Sequence, residues 1–127
     1  MKLNSSVLNS VVLSLFLSFS FFVWAQDDEV AMIDTSTYGS TEIEIKEALI
    51  YAALHYQWEI ISHARDEIRL EYKKNPLKLV INGAKITAYG DQERLSDHPR
   101  WIAGLKKLAI RRLMYLAELR KAQSFIQ

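Results

Sequence analysis

The amino-acid sequence predicts an α+β fold, in which a four-stranded antiparallel meander sheet carries an N-terminal and a C-terminal helix on one face. Apolar residues recur at helical spacing in one segment before and one segment after a central stretch. In the central stretch, apolar and charged residues alternate, so each strand has one apolar and one polar face. A sheet of this kind buries its apolar face under a single layer of helices. The 127 residues are enough for one such domain.

The first helix is expected to begin at Thr41. Thr41 and Glu44 have the spacing of a capping box, in which each side chain satisfies a free backbone amide of the first turn. Five residues then recur at helical spacing and form the face expected to meet the sheet: Ile45, Ala48, Leu49, Ala52 and Tyr56.

Four strands are expected, at residues 58–62, 67–72, 77–81 and 84–89. The Asn82-Gly83 dipeptide between the last two predicts a type I′ turn, which needs positive φ at both central residues. Such a turn pairs Ile81 with Ala84 and Leu79 with Ile86. The strands are expected to bring a common set of core residues against the helices: Trp58, Ile60, Ile68, Leu70, Tyr72, Leu77, Leu79, Ile81 and Ile86 against Leu49, Ala52, Trp101, Leu105 and Ala109.

After a polar loop at residues 90–96, the last helix is expected to begin near Pro99, because proline suits the first helical turn, and to end at about Lys121. Arg112 falls inside its apolar stripe. An unpaired buried guanidinium is very costly. Arg112 is therefore expected either to pair with a carboxylate, Glu47 being one candidate, or to lie in water beyond the sheet edge.

The N-terminus is predicted to be a signal peptide. Lys2 is the one charged side chain before Asp27, an apolar run follows it, and the run ends in Val23-Trp24-Ala25, which suits signal peptidase cleavage before Gln26. The alternative is an uncleaved membrane anchor. Both place the body of the protein outside the cytoplasm, periplasmic or secreted, and a cleaved peptide touches the membrane only transiently. The predicted divisions are signal peptide 1–25, flexible acidic lead 26–40, α-β-β-β-β-α domain 41–121 and C-terminal tail 122–127.

A run of short matches suggests a relationship. They are Ala48 and Ala52 in the first helix, Trp58 at the first strand, Ile68, Leu70, Ile86, Tyr89-Gly90-Asp91, Leu95, and His98-Pro99-Arg100-Trp101-Ile102 with Leu105. With this pattern the chain resembles a family of small exported bacterial proteins, many of them lipoproteins, whose function is not established. The resemblance implies a fold and a compartment but no activity. This chain departs from the family in having no cysteine to carry a lipid and in having Tyr56-Gln57 where Arg-Gly is more usual.

The residue types argue against catalysis. The absence of cysteine excludes a disulfide, a thiolate metal site and a cysteine nucleophile. No G-x-S-x-G, P-loop or G-x-G-x-x-G motif is present, and His55, His63 and His98 lack the spacing of a metal-binding helix. We expect no catalytic residue, no metal site and no cofactor, with a small enzyme as the least favoured class. Nucleic acid is not an expected partner, because the net charge is only +1.

The first helix carries a second apolar face, formed by Ile43, Ile50 and Leu54, about 150° from the first. A helix lying on a sheet buries only one broad face, so the second needs a cover. One possible cover is the chain's own tail, with Phe125 and Ile126 folded back against Ile50. The other is a partner, either a second copy of the chain or another envelope protein. We favour the partner, and with it a non-catalytic envelope protein that acts by binding a macromolecule.

Two further groups are candidate sites. The chain is basic from residue 46 onward, with fifteen bases against nine acids, and Arg100, Lys107 and Arg111 share one side of the last helix. They suggest an alternative function, the binding of an anionic ligand or envelope polymer. Asp91, His98 and Trp101 form a possible loop cluster. A structural role is favoured for that cluster, with Trp101 anchoring the helix and His98 closing the loop.

Overall fold

The computed structural model describes residues 28–126, so the predicted signal peptide and its cleavage site lie outside the described residues. The α+β class is confirmed. In chain order the elements are strand β1 (Asp28–Asp34), a 3₁₀ turn (Ser36–Tyr38), helix α1 (Glu42–His55), strands β2 (Glu59–His63), β3 (Glu67–Tyr72), β4 (Asn75–Asn82) and β5 (Lys85–Gly90), and helices α2 (Gln92–Ser96) and α3 (Pro99–Ile126).

The sheet has five antiparallel strands rather than the predicted four, in the order β1-β5-β4-β3-β2. Strands β2 to β5 form the predicted meander. The additional strand, β1, falls in the segment for which we expected a flexible lead. It pairs with β5 because Ile33 is buried in the core, with Val30 and Ala31 packed against it. The acids around these residues are exposed. They leave too few apolar residues in the segment for it to be predicted as a strand.

The chain after β1 is fixed by hydrogen bonds to distant parts of the fold. The backbone amide and the hydroxyl of Thr35 both donate to the carbonyl of Ala84, at 2.8 and 2.7 Å, and Thr35 is buried. Arg120 of α3 donates to the carbonyls of Tyr38 and Gly39, each at 2.9 Å. The chain between β1 and α1 is therefore part of the folded domain, and not a flexible lead.

Helix α1 begins as predicted. The Thr41 hydroxyl accepts from the Glu44 amide at 3.2 Å, and the Glu44 carboxylate accepts from the Thr41 amide at 3.0 Å. The expected core face is confirmed except at its last member. Tyr56 lies just beyond the helix and is exposed, and its ring lies against Gly104 of α3.

The predicted turn between β4 and β5 is wrong by one residue. Asn82 pairs with Lys85, so Gly83 and Ala84 are the central residues, and of these only Gly83 has positive φ, at 61°. A turn with positive φ at its first central position alone places glycine there. Ile81 consequently pairs with Ile86 instead of Ala84. The shift along the ladder is two residues, so the same side chains still face the core.

The two-residue turn between β3 and β4 has the geometry that we expected at Asn82-Gly83. Its central residues, Lys73 and Lys74, have φ of 49° and 65°, between the paired residues Tyr72 and Asn75. The Asn75 side chain donates to the carbonyl of Lys73 at 3.0 Å. Lysine is a poor residue for this conformation, because its Cβ crowds the backbone in the left-handed region.

Replacing this pair by Lys73→Asn with Lys74→Gly is expected to raise the free energy of unfolding by about 1 kcal/mol, because asparagine and glycine accept positive φ. Urea unfolding with an unchanged m value would measure the gain. The matched control, Lys73→Gln with Lys74→Gln, removes the same two charges without relieving the backbone and should gain nothing. An equal gain in both variants would show that charge, and not backbone strain, limits stability here.

The core contains most of the residues expected in it. Those fully buried as predicted are Trp58, Ile68, Leu70, Leu77, Leu79, Ile81, Ile86, Leu49, Ala52, Leu105 and Ala109. Ile60, Tyr72 and Trp101 lie partly buried at its margin. The predicted polar loop at residues 90–96 instead contains the short helix α2, which contributes the buried Leu95. Helix α3 continues through Ile126, past the end expected at about Lys121.

Candidate functional site

The second apolar face of α1 is largely uncovered. Ile43 is 81% exposed and Leu54 is 59% exposed, while Ile50 between them is partly buried against the core. Periodicity therefore identified two residues that stand in solvent and one that contributes to the core margin. Exposed aliphatic side chains that share one side of a helix mark an interaction surface more often than isolated ones do.

Through Ile126 the chain's own tail does not cover this face, so the internal cover, the alternative to a partner, is not formed by the described residues. Phe125 and Ile126 belong to α3 and are 87% and 85% exposed. The helix continues to its last described turn, where the Ser124 hydroxyl donates to the Lys121 carbonyl at 2.7 Å. Residues that continue α3 do not turn back onto α1.

Arg112 pairs with Glu47, one of the two arrangements expected for it. Its Nη2 donates to Glu47 Oε1 at 2.9 Å, and its Nε lies 3.2 Å from the same oxygen. The hydrogen bonds that Arg112 donates to the Glu47 carboxylate raise the pKa of the guanidinium above its ordinary value. The guanidinium carbon also lies 4.9 Å from the ring centre of Tyr51 and 5.5 Å from that of Tyr115, which is cation–π distance.

These four residues, Glu47, Tyr51, Arg112 and Tyr115, form what we call the tyrosine–arginine cluster, which joins α1 to α3. Both tyrosines are among the exposed large side chains. Tyrosine and arginine are enriched at the centres of protein interfaces. The two tyrosines were missed from the sequence, although each follows its charged neighbour at helical spacing, Tyr51 four residues after Glu47 and Tyr115 three after Arg112.

The predicted basic group lies on the solvent side of α3. Arg100, Lys107 and Arg111 are all exposed. The helix contains one acid, Glu118, whose carboxylate lies 3.4 Å from the Lys121 ammonium. The three bases therefore remain available on the surface of α3.

The predicted loop cluster does not form one site. The Asp91 carboxylate caps α2, accepting from the amides of Glu93 and Arg94 at 3.1 and 3.3 Å. The His98 ring stacks on Trp101, with 3.9 Å between ring centres, and the His98 carbonyl accepts from the Trp101 amide at 3.1 Å. Asp91 thus serves the helix it begins, while His98 and Trp101 shape the first turn of α3.

The described residues offer no assembled catalytic chemistry. All three histidines are exposed, and no three His, Asp or Glu side chains between residues 28 and 126 are grouped to hold a metal ion. A cleft of about 320 Å³ between β1, α2 and α3 is lined mainly by aliphatic residues, including Val30, Leu95 and Ile102. Over the same range, no helix is long and apolar enough to cross a membrane.

Comparison with protein families, with curated proteins and with solved structures finds no significant match for this chain. The resemblance to small exported bacterial proteins therefore stays a prediction.

Proposed function

We propose that this is an exported, non-catalytic envelope protein that binds a macromolecular partner through α1 and the adjoining tyrosine–arginine cluster. The observation that carries the proposal is the uncovered face of α1, on which Ile43 and Leu54 stand in solvent while the apolar residues Phe125 and Ile126 remain in α3. A second copy of the chain and another envelope protein are both suitable partners.

The energetics favour a partner at this position. Removing a leucine or isoleucine side chain from water contributes roughly 1.5–3 kcal/mol. Ile43 and Leu54 supply one such side chain each. The guanidinium of Arg112 is already paired with Glu47, which belongs to α1 like these two residues. A partner that covers Arg112 therefore does not bury an uncompensated charge, which would otherwise oppose binding.

The arrangement of the layers is part of the same proposal: both long helices cover one face of the sheet, leaving their outer sides for the partner. Supporting this, α1 and α3 pack against each other, and in β4 the buried residues Leu77, Leu79 and Ile81 alternate with more exposed ones. A sheet that is apolar on one side and polar on the other needs only one helical layer.

The test is the double variant Ile43→Gln with Leu54→Gln. Both side chains are mostly exposed, so the free energy of unfolding should change by less than about 0.5 kcal/mol. Self-association, measured by sedimentation velocity, or a specific crosslinked product in the envelope fraction should be lost. Met32→Gln with Ile61→Gln is the matched control, because it removes two half-exposed apolar side chains from the sheet and should keep the association.

Two results would contradict the proposal. Unfolding of the double variant would show that the α1 face is core, and unchanged association in a folded variant would place the interface elsewhere. The proposal that the protein is exported is tested separately, by measuring the intact mass of the protein purified from the producing cell. A chain beginning at Gln26 supports export by a cleaved signal, and a chain that retains residues 1–25 supports the anchor.

A further inference from the structure

One continuous stripe of exposed residues runs along α3. Its members are three or four positions apart beyond Lys107, and they fall within about 80° of the helix circumference. They are Arg100, Lys107, Arg111, Met114, Glu118, Lys121 and Phe125, and all seven are exposed. At 1.5 Å per residue the stripe is roughly 37 Å long. Such an extended stripe suits binding to a planar surface.

The stripe is cationic. It carries four bases and one acid, and that acid, Glu118, is paired with Lys121 within the stripe. Arg100, Lys107 and Arg111 make none of the ion pairs found among the described residues. Helix α3 as a whole has seven bases against one acid, although the chain's net charge is only +1. Positive charge is thus concentrated on one helix, and its complement is an anionic surface.

The C-terminal end of the helix adds apolar side chains to this charge. Phe125 and Ile126 are the most exposed large apolar residues in the described chain, and Met114 is half exposed. A soluble polyanion offers these side chains no apolar environment. A bilayer offers both parts at once, anionic headgroups for the bases and the acyl boundary for the apolar residues.

We propose that α3 binds along the surface of an anionic phospholipid bilayer, with Arg100, Lys107 and Arg111 over the headgroups and Phe125 and Ile126 inserted at its C-terminal end. This contact is separate from the transient one made by a signal peptide. It uses a different surface from the α1 face, so neither proposal depends on the other.

The test is flotation of the protein, as delivered by the producing cell, with two kinds of vesicle. One is phosphatidylcholine alone, and the other also contains about 30% of the anionic lipid phosphatidylglycerol. The anionic lipid gives the vesicle a negative surface potential that attracts basic segments. The readout is the partition coefficient into anionic vesicles divided by that into neutral vesicles. Any affinity of residues 1–27 for a neutral bilayer enters both coefficients and cancels. The variant Arg100→Gln, Lys107→Gln, Arg111→Gln should lower this ratio roughly a hundredfold, because each base near such a surface contributes severalfold.

The matched control is Lys73→Gln, Lys74→Gln, Lys85→Gln, which removes the same charge from exposed positions in the β3–β4 turn and at the first residue of β5. It should keep most of the binding. The variant Phe125→Ser with Ile126→Ser should lower partition into anionic vesicles roughly tenfold or more, with an unchanged melting temperature. A chain that shows no preference for anionic vesicles overturns the proposal, as does an equal loss in stripe and control variants. Binding that ignores Phe125 and Ile126 also overturns it and indicates a polyanion instead.

Discussion

Trp58→Ala is expected to lower the free energy of unfolding by about 3–5 kcal/mol. The Trp58 side chain is 3% exposed and lies in the core immediately before β2. Its ring centre lies 5.3 Å from that of Tyr72, whose ring in turn lies nearly perpendicular to that of Trp101, with 4.9 Å between the two centres. The substitution leaves a large cavity in the core and removes one of these three rings. Small domains have total stabilities of about 5–15 kcal/mol, so the variant should be marginal.

Urea unfolding at equilibrium would measure the loss. Trp58→Phe is the matched control, because it keeps an aromatic ring in the site and should recover more than half of the lost stability. Trp101→Ala gives a second comparison. Trp101 is only partly buried, so its loss should be smaller than that of Trp58. A loss below 1 kcal/mol for Trp58→Ala would mean that the core refills around the site.

Gly90→Ala is expected to cost about 1–3 kcal/mol through overpacking. Gly90 ends β5, between Leu77 on one neighbouring strand and Asp28 on the other. A Cβ added there would stand 2.6 Å from Leu95 Cδ1 and 3.2 Å from the carbonyl oxygen of Pro76. The Leu95 side chain is buried and the Pro76 carbonyl belongs to the backbone, so neither can withdraw freely.

A double-mutant cycle separates this clash from other causes. Leu95→Ala alone creates a cavity and destabilises the domain. Combined with Gly90→Ala, it removes the nearest clashing atom, so the double variant should lose less stability than the sum of the two single losses. Strict additivity in thermal or urea unfolding would show that contact with Leu95 is not what excludes a side chain at Gly90.

Elements defined by neighbouring residues were predictable from the sequence. The capping box fixes the start of α1, and the alternation in residues 67–72 fixes β3, whose bounds are confirmed. Strand β1 was not predictable in this way. Its pairing is with β5 at the far end of the sheet, and its few apolar residues lie among Asp28, Glu29 and Asp34. Helix α2 was missed for a related reason, because a single buried leucine holds a polar segment to the core.

The candidate surfaces show the same division. The exposure of Ile43 and Leu54 follows from periodicity within one helix. The tyrosine–arginine cluster depends on α1 and α3 meeting, and its central ion pair joins residues 65 positions apart. Sequence suggested Glu47 as the partner of Arg112, and helical spacing puts a tyrosine beside each of them. Only the packing of α1 against α3 brings both rings to one guanidinium.

The pairing of β1 with β5 has a consequence for the order of folding. Each of the other ladders joins strands that are adjacent in the chain, whereas Ile33 pairs with Ile86 more than fifty residues away. Closing so long a loop costs entropy before the contact repays it. The hairpins therefore form without β1, which docks late and, as an edge strand, can leave without breaking any other ladder. While it is absent, β5 presents an open edge, which a β1 strand from a second molecule fits as well as the chain's own.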